Sequence, residues 1–303
     1  MPTGDRGQIT SLAPWFGGKR TIGPEIVRQL GPHSAYCEPF CGSMAVLFAK
    51  AVVKHEIVND LHGDIVNVAW VLQRRRLKAR LLVALHDTLC SEAQFRVSRT
   101  KLQEPFAADP DAPDWRRAYH ALVTWWVGRS GIAGTRLSRT SFAARFTSRG
   151  GSGGVRFRNM VECLPAFAAR LARVDVLNRD GFEVLGKLDD RLKTAVYIDP
   201  PYLVKNGEYI HDFVEDDHRR LAEALGRFRH ARVVVSYYPD PRLEELYPSD
   251  RWHRVELDVN KQIMNSSTAR RDGATRTTEL LLINGPPIAY FAGYFNVGGL
   301  FEG

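Results

Sequence analysis

A chain of 303 residues with 44% hydrophobic and 25% charged side chains has a globular composition and length enough for one large α/β domain with an insertion. No run of about 18 apolar residues occurs, and Met1 to Thr10 is polar and Gly-rich, so neither a membrane-spanning helix nor a secretion signal is expected and the expected location is cytoplasmic. Lys and Arg outnumber Asp and Glu by 42 to 34, a formal charge of +8 that suits a polyanionic partner. Cys37, Cys41, Cys90 and Cys163 form no CxxC pair and have no accompanying His at zinc spacing. They are expected to be reduced, with no metal bound.

In chain order, Trp15-Phe16-Gly17-Gly18-Lys19 comes first: two glycines let the backbone approach a ligand closely, and Lys19 offers charge to a carboxylate. Ala35-Tyr36-Cys37 is a predicted strand leading through Glu38-Pro39-Phe40-Cys41-Gly42-Ser43-Met44 into a helix from Ala45 to Ala51. The turn after the first strand of an open sheet is a nucleotide site, but a single Gly42 is short of the GxGxxG needed for a pyrophosphate. His55 to Val58 is a second strand, and Asp60 at its end is placed for a ribose diol. Asp64, one turn on, suits the first turn of a helix. Order and spacing together describe a nucleoside that carries an amino acid, which is S-adenosylmethionine.

From about Trp70 to Arg170 helical patterns dominate, including Asp114 to Val127 with its Trp125-Trp126 pair. Residues 128–158 hold seven arginines, Arg129, Arg136, Arg139, Arg145, Arg149, Arg156 and Arg158, and no Asp, Glu or Lys. Phe142, Phe146 and Phe157 are interleaved, and Gly150-Gly151-Ser152-Gly153-Gly154 makes a flexible tip. Such a segment fits a DNA groove, where arginine reads guanine edges. Should it not be the reader, Arg74, Arg75, Arg76, Lys78 and Arg80 are the next choice.

Further strands are expected at Arg173–Leu177, Thr194–Ile198, Arg232–Tyr237 and Thr277–Ile283. Thr194–Ile198 ends at Asp199-Pro200-Pro201-Tyr202, a tetrapeptide that chance places in such a chain about once in a thousand. An exocyclic aromatic amine is a poor nucleophile because its lone pair is delocalised. A carboxylate from Asp199 and a neighbouring backbone carbonyl both accept its protons, Pro200 and Pro201 fix the loop, and Tyr202 offers a ring face for the base. The base must leave the duplex to reach such a site.

These segments resemble the Dam-type family of DNA adenine methyltransferases over about 12–70 and 170–284: Trp15, Gly17, Gly18 and Lys19 match its WxGGK-like loop, Glu38, Pro39, Phe40 and Gly42 its EPFxGxG segment, Asp60 its ribose carboxylate and Asp199 to Tyr202 its DPPY. Asp180-Gly181-Phe182 falls where family members hold the cofactor's adenine. The resemblance implies a Rossmann-like, doubly wound methyltransferase sheet (1–70 and 169–285), an inserted, mainly helical target-recognition domain (71–168) and a tail (286–303) with Tyr290, Phe291, Tyr294, Phe295 and Phe301. It implies transfer from S-adenosylmethionine to the 6-amino group of a flipped adenine in double-stranded DNA. The cofactor would lie against Trp15, Gly17, Gly18, Lys19, Glu38, Pro39, Phe40, Gly42, Ser43, Asp60, Asp180, Phe182 and Asp199. Met44 stands where the family has a glycine and is expected beside the cofactor's methionine; Pro14 and the run Gly128 to Gly134 also depart, so a GATC target is not implied. The rivals are a cytosine 4-amino methyltransferase, which usually has Ser in place of Asp199, and a catalytically impaired DNA-binding protein on the same fold. Monomer and homodimer both remain open.

Overall fold

The computed structural model describes residues 10–15, 17–128, 133–134, 141–142, 152–203, 213–260, 276–286 and 288. Among these, seven strands form one sheet: β1 (Ala35–Glu38), β2 (His55–Asn59), β3 (Asp175–Leu177), β4 (Thr194–Ile198), β5 (Arg232–Tyr237), β6 (His253–Asn260) and β7 (Arg276–Ile283). Their order is β3-β2-β1-β4-β5-β7-β6. The first five are mutually parallel, and β7 runs antiparallel to both its neighbours.

The helices are α1 (Gly23–Leu30), α2 (Ala45–Ala49), α3 (Gly63–Gln73), α4 (Arg75–His86), α5 (Glu92–Gln103), α6 (Trp115–Val127), α7 (Gly153–Leu171), α8 (Gly181–Lys187), α9 (Glu215–Gly226) and α10 (Leu243–Leu246). They cover both faces of the sheet, and the strand alternation shows how. Ala195 and Tyr197 of β4 join one core with Leu281 and Ile283, whereas Val196 and Ile198 join the opposite core with Leu280, Leu282 and the α9 residues Leu221 and Leu225. Strands buried on both faces read as unbroken apolar runs, as Val233-Val234-Val235 does. Edge strand β6 instead alternates: Val255 and Leu257 face the core while Arg254, Glu256 and Asp258 are exposed. This strand was absent from the sequence reading although its period of two is regular.

The helices of 71–168 do not build a separate core. Leu81, Phe95, Leu122, Trp125, Trp126, Phe157 and Leu164 share one continuous apolar cluster with Val58 and Tyr197 of the sheet. The boundary drawn at 70/71 falls inside α3 and the one at 168/169 inside α7. Asp114 caps α6 by accepting from the Arg116 and Arg117 amides. Asp64 is in the first turn of α3 and also pairs with Arg117 of α6 at 2.6 Å. No helix among the described residues is long and apolar enough to cross a membrane.

One buried charge cluster closes the layer between α2, β2 and α7. Glu56 is fully buried, accepts from Lys50 at 2.5 Å and takes both terminal nitrogens of Arg170 at 2.6 and 2.7 Å. Removing the anion leaves two cations without their partner. Glu56→Gln should lower unfolding free energy by about 3–5 kcal/mol in urea titration. A loss below ~1 kcal/mol would mean the cluster is already open to water.

Candidate active site

In an open parallel sheet, ligands gather where the strand order reverses, outside the carboxyl ends. Here that point lies between β1 and β4. A cavity of about 500 Å³ sits there. It is lined by the segments that leave β1 (Glu38 to Ser43), β2 (Asp60 to His62), β3 (Asp180 to Phe182) and β4 (Asp199 to Pro201), together with Trp15, Gly18 and Lys19 of the N-terminal loop. Four stretches far apart in sequence therefore reach one cavity because parallel strands present the same edge.

Close backbone approach explains the glycines. Gly42 has φ +45°, and a Cβ there would lie 2.7 Å from Trp15 Nε1. Gly134 has φ +84°, and its Cβ would lie 2.7 Å from Trp15 Cε2 and Cζ2. The Trp15 indole is thus wedged between two residues without side chains, which docks the inserted region onto the cavity. A Cβ on Gly181 would likewise strike the Phe40 ring at 2.5 Å. Phe40 stands edge-on to Phe182 and Phe213, which stack on each other 5.7 Å apart.

Asp60 organises this turn. Its Oδ2 accepts from Gly42 N at 2.7 Å and its Oδ1 from His62 N at 2.8 Å. A carboxylate oxygen can accept more than one hydrogen bond. Met44 adopts φ +61°, a left-handed conformation that costs a side-chain-bearing residue about 1–2 kcal/mol and explains the family glycine. Its side chain is fully buried in the core and is not among the cavity-lining residues, contrary to the expected contact with a cofactor.

Lys19 was expected to face a ligand carboxylate. The structure gives it partners of its own: the ammonium, 5% exposed, lies 2.8 Å from Asp199 Oδ1 and 3.3 Å from Glu279 Oε1. It also donates to Gly17 O and to Tyr202 Oη, each at 2.7 Å. Burial pushes the Asp199 carboxyl up to about 6, Lys19 pulls it down, and the Glu279 charge raises it. Burial pushes Glu38, which accepts from Tyr36 Oη at 2.8 Å, up to about 8, aided by the charges of Asp199 and Asp60.

The other expected residues sort as follows. Trp15, Gly18, Lys19, Glu38, Pro39, Phe40, Gly42, Ser43, Asp60, Asp180, Phe182, Asp199, Pro200 and Pro201 all line the cavity. Asp180 also caps α8 through Phe182 N at 2.8 Å. Gly17 and Tyr202 are outside the lining. The Tyr202 ring packs on Tyr237 and Tyr238, and its hydroxyl binds Lys19 and Glu279, so this tyrosine carries a polar task that a stacking role leaves out. His62, Gly134, Phe213 and Arg220 line the cavity without having been foreseen.

Two of the arginines expected on DNA bond backbone carbonyls of neighbouring helices. Arg156 donates to Trp126 O and Gly128 O, and Arg158 to Leu85 O, His86 O and Thr88 O, which ties α7 to α6 and α4. Gly153 and Gly154 of the expected glycine tip begin α7 under the Ser152 cap, and Phe157 is buried. Arg129, Arg136, Arg139, Arg145, Arg149, Phe146, Gly150, Gly151 and the tail aromatics lie outside the described residues. Gln73 donates to Leu171 O and Val174 O at the amino end of β3, so Arg74, Arg75 and Arg76 stand at the sheet edge opposite the cavity.

The model of the D12 class N6 adenine-specific DNA methyltransferases matches residues 15–109, the stretch that contains Trp15, the β1 turn and Asp60. The chain is also similar to the retron Ec67 DNA adenine methylase of Escherichia coli, 24% identical over 284 residues that cover 91% of this chain and 92% of that protein.

The wedge of Trp15 between two glycines is open to test. Gly42→Ala adds strain at φ +45° and a clash with the indole, and should cost about 1–3 kcal/mol of stability in urea unfolding, with a shift in tryptophan emission. Unchanged stability and emission would mean that the indole is not held by this turn.

Proposed function

We propose that the chain is an adenine-specific DNA methyltransferase like those of the D12 class, and that it uses S-adenosylmethionine to methylate the 6-amino group of an adenine turned out of double-stranded DNA. The observation that carries this reading is the meeting of Asp199-Pro200-Pro201 with the Gly42 and Asp60 turn in one cavity at the strand switch point.

The residues present fit that cofactor. About 500 Å³ is the right order for a ligand of nucleoside-plus-amino-acid size. Four aspartates, Asp60, Asp180, Asp199 and Asp217, and the acid Glu38 line the cavity against two cations, Lys19 and Arg220, a balance that favours a ligand with net positive charge. The Nδ1 of the cavity-lining His62 is buried without a hydrogen-bond partner among the described residues, as befits a group awaiting a ligand. Asp60 would hold the ribose hydroxyls, and Phe40 with Phe182 would flank the adenine. When bound, S-adenosylmethionine would supply an activated methyl group for direct in-line transfer to the amine nitrogen.

The protein's own contribution is to make that nitrogen nucleophilic. Asp199 accepts one amine proton through its carboxylate, and a carbonyl of the same loop accepts the other, so the lone pair is released from the ring. Pro200 and Pro201 hold these acceptors in place. A recessed cavity obliges the base to leave the stack. Arg129, Arg136, Arg139, Arg145 and Arg149 supply the charge for DNA contact.

Asp199 must be ionised to accept a proton, and its carboxyl sits at about 6. Methyl transfer, followed as N6-methyladenine in DNA digested to nucleosides, should therefore hold above pH 7 and fall as pH drops through about 6. Asp199→Asn should lower kcat by a hundredfold or more, on the order typical of removing such an acceptor, while cofactor affinity in calorimetry changes far less. Methyl groups recovered on another nucleoside, or a fully active Asp199→Asn protein, would contradict the proposal.

A further inference from the structure

Glu279 is not among the site residues expected from the sequence, yet it is the acidic residue of β7 that reaches the Asp199 loop. Strand β7 runs antiparallel to β5, with Leu280 opposite Tyr237, the last residue of β5. Glu279 therefore falls one position past the carboxyl end of β5, at the edge where the cavity lies. Its side chain is 5% exposed and does not line the cavity, so it acts through other groups.

The hydrogen-bond geometry tells which groups. Tyr202 Oη is 2.6 Å from Glu279 Oε1 and 3.2 Å from Asp199 Oδ1. A phenol has one proton to give, and the shorter contact takes it. The oxygen's lone pairs then face the Lys19 ammonium, which donates to it at 2.7 Å. Lys19 in turn stands between two carboxylates, at 2.8 Å from Asp199 and 3.3 Å from Glu279. Two anions share one ammonium, so each has its charge only partly compensated.

We propose that Glu279 is a positioning residue for methyl transfer: it holds the Tyr202 proton and draws on the Lys19 charge, leaving Asp199 oriented and more strongly basic than a fully paired carboxylate. The proposal rests on the adenine-methylating reading of the site. Asp199 is faced by Lys19 from the N-terminal loop, Glu279 from β7, Tyr202 from its own loop, Glu38 from β1, Tyr197 from β4, and Tyr237 and Tyr238 from the end of β5. Of the two carboxylates among these, Glu279 is the one that shares the Lys19 ammonium.

Glu279→Gln removes the charge and keeps an oxygen for the Tyr202 proton. A like charge disfavours ionised Asp199, so its removal should move the acid limb of kcat to lower pH than in the wild type. A weaker base accepts the amine proton less well, and kcat at pH 8 should fall on the order of tenfold, with KM for S-adenosylmethionine unchanged. Glu279→Asp keeps the charge but shortens the reach, so its acid limb should stay near the wild-type position. Carbon-13 NMR of labelled aspartate follows the Asp199 carboxyl without turnover and should show the same downward shift in Glu279→Gln. A wild type that yields no N6-methyladenine sinks the function reading, and the NMR titration then still decides this one. Wild-type kcat and an unmoved Asp199 titration in folded Glu279→Gln overturn the proposal. Should that variant not fold, an acid limb displaced by more than about half a pH unit in Glu279→Asp, despite the retained charge, overturns it instead.

Discussion

A single buried ammonium holds the cavity end of this fold together. Lys19 ties the N-terminal loop to the carboxyl end of β4 through Asp199 and, through Glu279, to β7. Burying a charge is costly unless it is paired and hydrogen-bonded, and Lys19 satisfies that condition with Asp199, Tyr202 and the Gly17 carbonyl. The same pairing fixes the orientation of the Asp199-Pro200-Pro201 loop before any substrate arrives. Preorganisation of this kind is what lets a carboxylate act on a weakly nucleophilic amine without reorganising during the reaction.

The rest of the architecture places that pair. Parallel strands deliver the ends of β1, β2, β3 and β4 to one edge, and the reversal of order between β1 and β4 leaves room there for a ligand. The helices of the inserted region fill one side of the core and carry Gly134 against Trp15, so the inserted region closes the cavity as well as extending the chain around it. Asp60 links the first two strands at their ends, because its two oxygens accept amides from the β1 turn and from its own turn. The carboxylate proposed to meet a ribose is thus also a structural bolt.

Much of this was legible in the sequence because the chemistry is local. The β1 turn, Asp60 and Asp199 to Pro201 each sit directly after a strand, where apolar runs end in polar or proline-rich residues. What escaped depends on pairings across the chain. Lys19 and Tyr202 are 183 positions apart, and nothing in Trp15 to Lys19 says that the ammonium serves Asp199. The polar partners of the Tyr202 hydroxyl escaped for the same reason, since they lie on two other segments. Glu279 did leave a signal, a carboxylate at the head of the apolar run Leu280 to Ile283, but only the antiparallel pairing with β5 shows where it points. Arg156 and Arg158 looked like part of a basic loop; they stand on α7, where Arg156 bonds the Trp126 carbonyl of α6 and Arg158 the His86 carbonyl of α4.

The central claim, that one buried ammonium shared by two carboxylates sets the charge of Asp199, is tested most directly by taking the ammonium away. Lys19→Met keeps much of the side-chain length and removes the charge. Lys19 holds Asp199 lower than burial alone would, so its loss should raise the carboxyl. The measurement is kcat against pH for methyl transfer in Lys19→Met beside the wild type. The expected result is an acid limb moved upward from about 6, with transfer suppressed at neutral pH and recovered under alkaline conditions. An acid limb at the wild-type position would contradict the account, because Asp199 would then owe its charge state to something other than Lys19.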